Sequence, residues 1–208
     1  MTLQDTVVNL VLSVVLIVGA YQFYFFTQRH PWRRARTFHS PLDERIPFVP
    51  AWSWVYSLLY YPAILYLNLL ADTPGAFTRM AFSFILLLAL QMACFALFPV
   101  ATPEHWRARA RALAEARARR GDGAASLRFL NFVRHFDGPA NCFPSMHVSV
   151  ATLTALHASA ALGPWAWAFP ALIAVSCLLT KQHYLIDLPF GAALGVAAYL
   201  LHRHGLGL

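Results

Sequence analysis

Phe143-Pro144-Ser145-Met146-His147 and Lys181-Gln182-His183-Tyr184-Leu185-Ile186-Asp187 each set a histidine at the edge of a long apolar segment. The second also sets a carboxylate four residues after its histidine. Apolar residues fill the chain between and beyond these stretches, so they read as polar turns joining membrane helices. Ionisable side chains at a membrane boundary are costly and mark a functional site by default. Two histidines and one aspartate can carry phosphoryl transfer without a metal: one His attacks, one serves as acid, and the Asp orients the nucleophile.

The composition fixes the class. Of 208 residues, 59% are hydrophobic and 12% charged, with a mean hydropathy of +0.52. Soluble domains carry about 25% charged and about 45–50% apolar residues. The expectation is an all-α polytopic membrane protein, one membrane-embedded catalytic domain over 1–208. The net charge is +7, and Lys181 is the only lysine. Because the arginines lie in loops beside apolar runs, membrane lipids and a phosphorylated lipid substrate are the expected partners, not nucleic acid. Arginine presents a planar fork that grips phosphate at two points. The excess of arginine over lysine hints at a GC-rich bacterium, hence a bacterial inner (plasma) membrane. Cys94, Cys142 and Cys177 show neither metal nor redox spacing. Cys94 and Cys177 read as small apolar fillers, and Cys142 as merely near His147. The first apolar run carries no basic leader and no cleavage site, so it reads as an anchor, not a signal peptide.

Six spans are predicted, at about 6–26, 51–70, 77–100, 145–162, 165–180 and 188–202. The first three approach the roughly 20 residues a helix needs to cross a bilayer. The last three are shorter and pack through small residues such as Ala192, Ala193, Gly195, Ala197 and Ala198. Gly163-Pro164 makes a tight hairpin between the fourth and fifth. Two long connections, 27–50 and 101–143, hold thirteen of the sixteen basic residues. In the second, Thr102 is placed to cap a helix, Pro103 to take its first position, Glu104 its first turn and Gly121 its end. Trp106, Ala110, Leu113 and Ala114 form a stripe beside many arginines, which suits an interfacial amphipathic helix on the membrane surface or a solvated Arg/Ala helix. Gly121-Asp122-Gly123 marks a break.

Six alternating spans bring His147 and His183 to one side of the membrane. A spacing of four puts His183 and Asp187 on one face of a helical turn. An Asp bonded to one ring nitrogen fixes the tautomer and frees the other nitrogen to attack. Asp187 alone could equally favour the N-terminus of the last helix. His157 falls on another face of its helix and reads as a core polar residue with a partner. His202 and His204 read as terminal interface residues. His30, His39, His105 and His135 lack a zinc-ligand pattern. Asp137 and Asn141 are placed to shape the loop before His147.

Phe-Pro-Ser-Met-His and the later His-x-x-x-Asp resemble the second and third signatures of the phosphatidic acid phosphatase type 2 superfamily, usually PSGH and SRxxxxxHxxxD. The likeness covers roughly residues 40–195. Its flavour at 43–50, 141–147 and 180–184 is similar to the branch containing inositol phosphorylceramide synthases and their bacterial relatives. The resemblance implies His183 as nucleophile forming a phosphohistidine, Asp187 as its orienter and His147 as general acid and base. It implies Ser145 on a phosphate oxygen and no metal or other cofactor. Three departures stand out. Met146 replaces the usual glycine, and Cys177 stands where arginine is usual, with Lys181 as a substitute cation. The first signature, KxxxxxxRP, is absent as written; Arg107, Arg128 and Arg134 are its candidate replacements, with Arg134 and Arg128 favoured. The functional expectation is a lipid phosphatase or phosphotransferase, the latter moving a phosphoinositol-type headgroup. The alternative is a non-catalytic lipid-phosphate binder or flippase on the same fold. The positive-inside rule places both basic connections in the cytoplasm, whereas the resemblance implies an active site outside it.

Overall fold

The computed structural model describes residues 2–120, 125–138 and 140–205. Among these residues the chain is helical, and the one β pairing is an isolated bridge between Arg36 and Val100. The α-helices are α1 (Leu3–Arg29), α2 (Pro41–Arg45), α3 (Tyr60–Leu70), α4 (Pro74–Leu97), α5 (Glu104–Arg119), α6 (Ala125–Phe136), α7 (Met146–Leu162), α8 (Ala168–Leu179) and α9 (Asp187–Leu200).

Three helical runs are long and apolar enough to cross a membrane: Leu3–Arg29, Pro74–Leu97 and Met146–Leu179. The third is broken. Gly163 ends α7 at φ 55°, a conformation glycine adopts without steric cost, and a 3₁₀ turn over Gly163–Trp167 leads into α8, which packs against α7. α4 begins and ends three residues earlier than the predicted span. The Thr73 hydroxyl accepts the Ala76 N–H at 3.1 Å, and Pro74, which needs no N–H partner, takes the first turn. The segment predicted at 51–70 is helical but not uniformly α. It opens with a 3₁₀ turn at Pro50–Trp52, widens into a π-turn at Val55–Leu59 and becomes α3. Pro62 lies in the first turn of α3; it cannot donate a backbone bond, and its ring crowds the carbonyl four residues back. A widened turn just before it relieves that clash.

α7 is the central helix, packed by α9, α8, α3 and α4. Leu87, Val150, Leu153, Ile173, Cys177 and Ala198 fill the core around it. α9 approaches α7 so closely that a Cβ on Gly191 would lie 2.5 Å from the Ser145 carbonyl oxygen, and one on Gly195 2.5 Å from that of Ser149. The small-residue packing predicted for the last helix is therefore real at Gly195, and Gly191 extends it to the motif.

The second connection differs from its prediction. Thr102 is not the cap of α5: Pro103 holds the N-cap position, and the buried Thr102 hydroxyl has no hydrogen-bond partner among the described residues. The extended Pro103 backbone turns the chain one residue later, and its carbonyl accepts the Trp106 N–H at 3.2 Å. The stripe side of α5 faces protein, with Trp106 and Ala110 buried and the Trp106 ring 5.3 Å from that of Tyr184. A further helix, α6, buries Leu127, Leu130 and Arg134 along one face. The break at Gly121-Asp122-Gly123 and the stop at Gly121 lie outside the described residues.

Candidate active site

The turn between α8 and α9 is locked from within. The Gln182 N–H donates to the Cys177 carbonyl at 3.0 Å, and the Asp187 N–H to that of Tyr184 at 3.1 Å. Lys181 takes up φ 54°, and on the facing loop Asn141 has φ 61°. Left-handed backbone at non-glycine residues gathers where the surroundings enforce it, and active sites are common instances. The Ser145 N–H then donates to the Asp187 carbonyl at 3.1 Å and stitches the two motifs together.

This architecture settles the tautomer of His183. Its Nδ1 lies 2.9 Å from the Cys142 carbonyl oxygen and 3.2 Å from Asp187 Oδ2. Both partners are acceptors, so Nδ1 carries a proton, and in the neutral ring the lone pair is on Nε2. Asp187 Oδ2 also accepts the Tyr184 N–H at 2.8 Å and the Cys142 thiol at 2.9 Å. Asp187 is fully buried, and its other oxygen has no hydrogen-bond partner among the described residues. Cys142 is thus part of the site, not merely near it. Nothing in the sequence signals a contact spanning 45 residues, although its place five residues before His147 put it within reach.

His147 sits at the first turn of α7 with its ring centroid 6.0 Å from that of His183. It stacks on Tyr56 at 4.1 Å and packs against Tyr60 at 4.7 Å. Its Nδ1 is 3.2 Å from the Tyr56 hydroxyl. Tyr56 belongs to the π-turn, so the widened turn before Pro62 places the ring that supports this histidine. Neither tyrosine was marked by the sequence pattern.

The expected phosphate ligands divide. Ser145 is buried, caps α7 by accepting the Val148 N–H at 3.4 Å, and braces Asp187 through its backbone. Arg134 is buried and grips the motif turn: Nε donates to Gln182 Oε1 at 3.0 Å, and one terminal nitrogen donates to the Thr180 carbonyl at 2.7 Å. Its other terminal nitrogen is buried without a hydrogen-bond partner among the described residues. Burial, then the neighbouring Arg107, pulls the Arg134 pKa down to about 10. Lys181 donates to the Asp43 carbonyl and lies over the Trp106 ring at 5.0 Å. Burial holds its pKa below the usual lysine range. Arg128 is exposed on α6 and is not brought to the histidines. Arg107 donates to the carbonyls of Arg134, Asp137 and Gly138 at 3.2, 2.9 and 2.6 Å. Asp137 and Asn141 hold the loop to α1: Asp137 accepts the Tyr24 hydroxyl at 2.6 Å, and Asn141 donates to the Thr27 hydroxyl at 2.9 Å.

His147 and His183 line a cavity of about 320 Å³ between α1, the π-turn and α6, with Asp137, Asn141 and Ser57 as polar wall. Cys142, His183 and Asp187 offer ligand atoms within 4.8 Å of one another, a spacing that would suit a metal. Their donor chemistry does not fit one well. The thiol donates to the carboxylate, the ring N–H faces two acceptors, and burial pushes the Cys142 thiol well above its usual pKa. At the far end of α7, His157 Nε2 lies 2.7 Å from the Ser83 hydroxyl, which makes it a core polar residue with a partner as predicted. His202 is buried, and among the described residues its Nε2 has no hydrogen-bond partner.

Apolar helices long enough to span a bilayer and the family match make this an integral membrane protein of phosphatase or phosphotransferase type. The chain belongs to the PAP2 superfamily, typically phosphoesterases, whose family model matches residues 28–201. Neither a curated protein nor a solved structure matches it.

Proposed function

We propose that the protein cleaves a lipid phosphoester through a phosphohistidine on His183, without a metal. The observation that carries this reading is the buried Asp187–His183 pair with Nδ1 engaged at 3.2 Å and His147 across from it. His183 Nε2 attacks phosphorus, and the bond from phosphorus to the lipid oxygen breaks. His147 gives its proton to the departing oxygen, and Asp187 stabilises the charge that develops on the His183 ring. Water or an alcohol then attacks the phosphohistidine; His147 takes the proton, and the phosphorus–nitrogen bond breaks. Positioned donors on the phosphoryl oxygens supply electrostatic stabilisation. The uncommitted terminal nitrogen of Arg134 is our first choice among them. The Ser145 hydroxyl and the Lys181 ammonium complete the set from the two motifs, and the exposed Arg128 meets the headgroup as it enters.

The acceptor is proposed from the cavity wall. Asp137, Asn141, Ser57 and the tyrosine hydroxyls suit a hydroxylated group better than a bare phosphate. This supports transfer of a phosphoinositol-type headgroup, in keeping with the likeness to the inositol phosphorylceramide synthase branch. The six helical segments then serve as six spans, with α5 at the interface of a bacterial inner membrane and membrane lipids as the partners.

The test is release of phosphate from lipid phosphates, and of headgroup from an inositol phospholipid given an alcohol, by purified protein in detergent with chelator. Turnover is expected to vanish in His183→Ala, and a phosphorylated protein, stable to base and labile to acid, to be trapped only when His183 is present. Activity that survives His183→Ala overturns the mechanism. Silence on every substrate moves the non-catalytic lipid-phosphate binder ahead.

A further inference from the structure

A second cavity, about 430 Å³, lies between α1, α3 and α4 beside the histidine cavity. The two share four lining residues, Tyr21, Tyr60, Tyr61 and Met146. The hydroxyls of Tyr21 and Tyr61 are hydrogen-bonded to each other on that shared wall. The chamber is almost wholly apolar, and the amide and hydroxyl side chains of Ser13, Asn68 and Gln91 on its wall are already engaged. Ser13 donates to Asn68 at 3.1 Å, and Asn68 donates to the Leu65 carbonyl at 2.9 Å. Gln91 donates to the Pro144 carbonyl at 2.8 Å and accepts the Ser149 hydroxyl at 3.0 Å. An almost wholly apolar space favours hydrocarbon over water. Water occupies about 30 Å³ in the liquid, so the chamber takes roughly fourteen groups of that size, close to the size of a methylene.

We infer that this chamber holds a hydrocarbon chain of the substrate while its phosphate lies at His183, with the Tyr21–Tyr61 pair as the threshold between chain and headgroup. The inference rests on the proposed function and adds a selectivity to it: the favoured substrate has at least one long, slender chain. Continuity of the two cavities is the reason the occupant is the substrate's own chain and not an unrelated lipid. From Ser13 to Tyr21 is eight residues of α1, about 12 Å along the axis, so the chamber runs well past the headgroup.

Gly19 allows a clean test. Gly19 lines the chamber and a Cβ built there meets nothing within 4 Å, so Gly19→Phe adds a ring to the chamber wall at a position with room for the first side-chain atom. Wild type and Gly19→Phe would be compared on hexadecyl phosphate and on para-nitrophenyl phosphate, which has no chain. The expected result is a loss of about tenfold or more in kcat/KM on the long-chain ester, the effect of losing burial of about two methylenes. The rate on the chainless ester is expected to be unchanged. Equal rates for both proteins on both esters, or an equal fall on both, overturn the chamber. Should wild type cleave neither, the proposed function fails, and a direct measurement decides the chamber alone. An alkyl phosphate with a diazirine at its chain end would be photolysed on wild type and the label mapped. Label on α1 or α4 that disappears in Gly19→Phe upholds the chamber; label elsewhere overturns it.

Discussion

A single sulfur–oxygen contact carries much of the arrangement at His183. Cys142 acts twice on the pair, its carbonyl accepting the ring proton and its thiol donating to Asp187 Oδ2. Only the second role depends on the side chain. Cys142→Ala therefore removes one of the donors to Oδ2 and leaves the histidine's carbonyl partner in place. A thiol is a weak donor, so the loss is below the about 1.5–3 kcal/mol of ordinary bonds to charged groups, and kcat is expected to fall by about threefold. KM is expected to hold, because Cys142 does not line the cavity. Cys142→Ser keeps a donor and is expected to recover most of the loss. Steady-state kinetics on the three proteins checks this, and full activity in Cys142→Ala would show that the thiol only fills space. The i,i+4 pairing of His183 with Asp187 was readable because it is local. Cys142, Tyr56 and Tyr60 were not, because each reaches the histidines through space from another segment.

Among the elements, α7 and α9 set the precision of the site. A methyl group on Gly191 would drive into the Ser145 carbonyl, and one on Gly195 into that of Ser149. These are backbone atoms and cannot move aside as a side chain can. Overpacking of this kind costs about 1–3 kcal/mol. Gly195→Ala is expected to lower the thermal midpoint in detergent by that equivalent while sparing most of the activity. Gly191→Ala is expected to do more harm to activity than its stability loss explains, because it displaces the residue whose N–H is tied to the Asp187 carbonyl. Thermal melts and phosphate release on the same preparations separate the two effects. Apolar periodicity made the large helices legible, with ends misplaced by a few residues where caps and prolines decide. It did not place α6, although Leu127, Leu130 and Arg134 fall on one buried face of that helix. It found α5, but hydrophobic pattern alone does not say whether a stripe meets lipid or protein; here Trp106 meets Tyr184.

Over the whole molecule, the site is closed by a residue far from both motifs. Asp43 caps α2 by accepting the Ser40 N–H at 2.8 Å, and its other oxygen accepts the Leu185 N–H at 2.8 Å. Its carbonyl receives Lys181. One buried aspartate in the first long connection thus holds the turn that presents His183, 140 positions further along the chain. Nearby, the Val49 N–H donates to the Leu179 carbonyl at 2.8 Å and clamps the same connection to the end of α8. Asp43→Ala leaves the Leu185 N–H buried without its acceptor, a cost of about 1–3 kcal/mol. That cost falls on the turn that presents His183, the proposed nucleophile, so kcat is expected to fall with KM little changed. Asp43→Asn, which keeps an acceptor for Leu185, is expected to lie between Asp43→Ala and wild type. Arg45→Ala, two residues along on an exposed position, is expected to be silent. A wild-type kcat in Asp43→Ala, with the protein still folded by its melt, would mean that the turn holds itself and that the first connection serves another purpose.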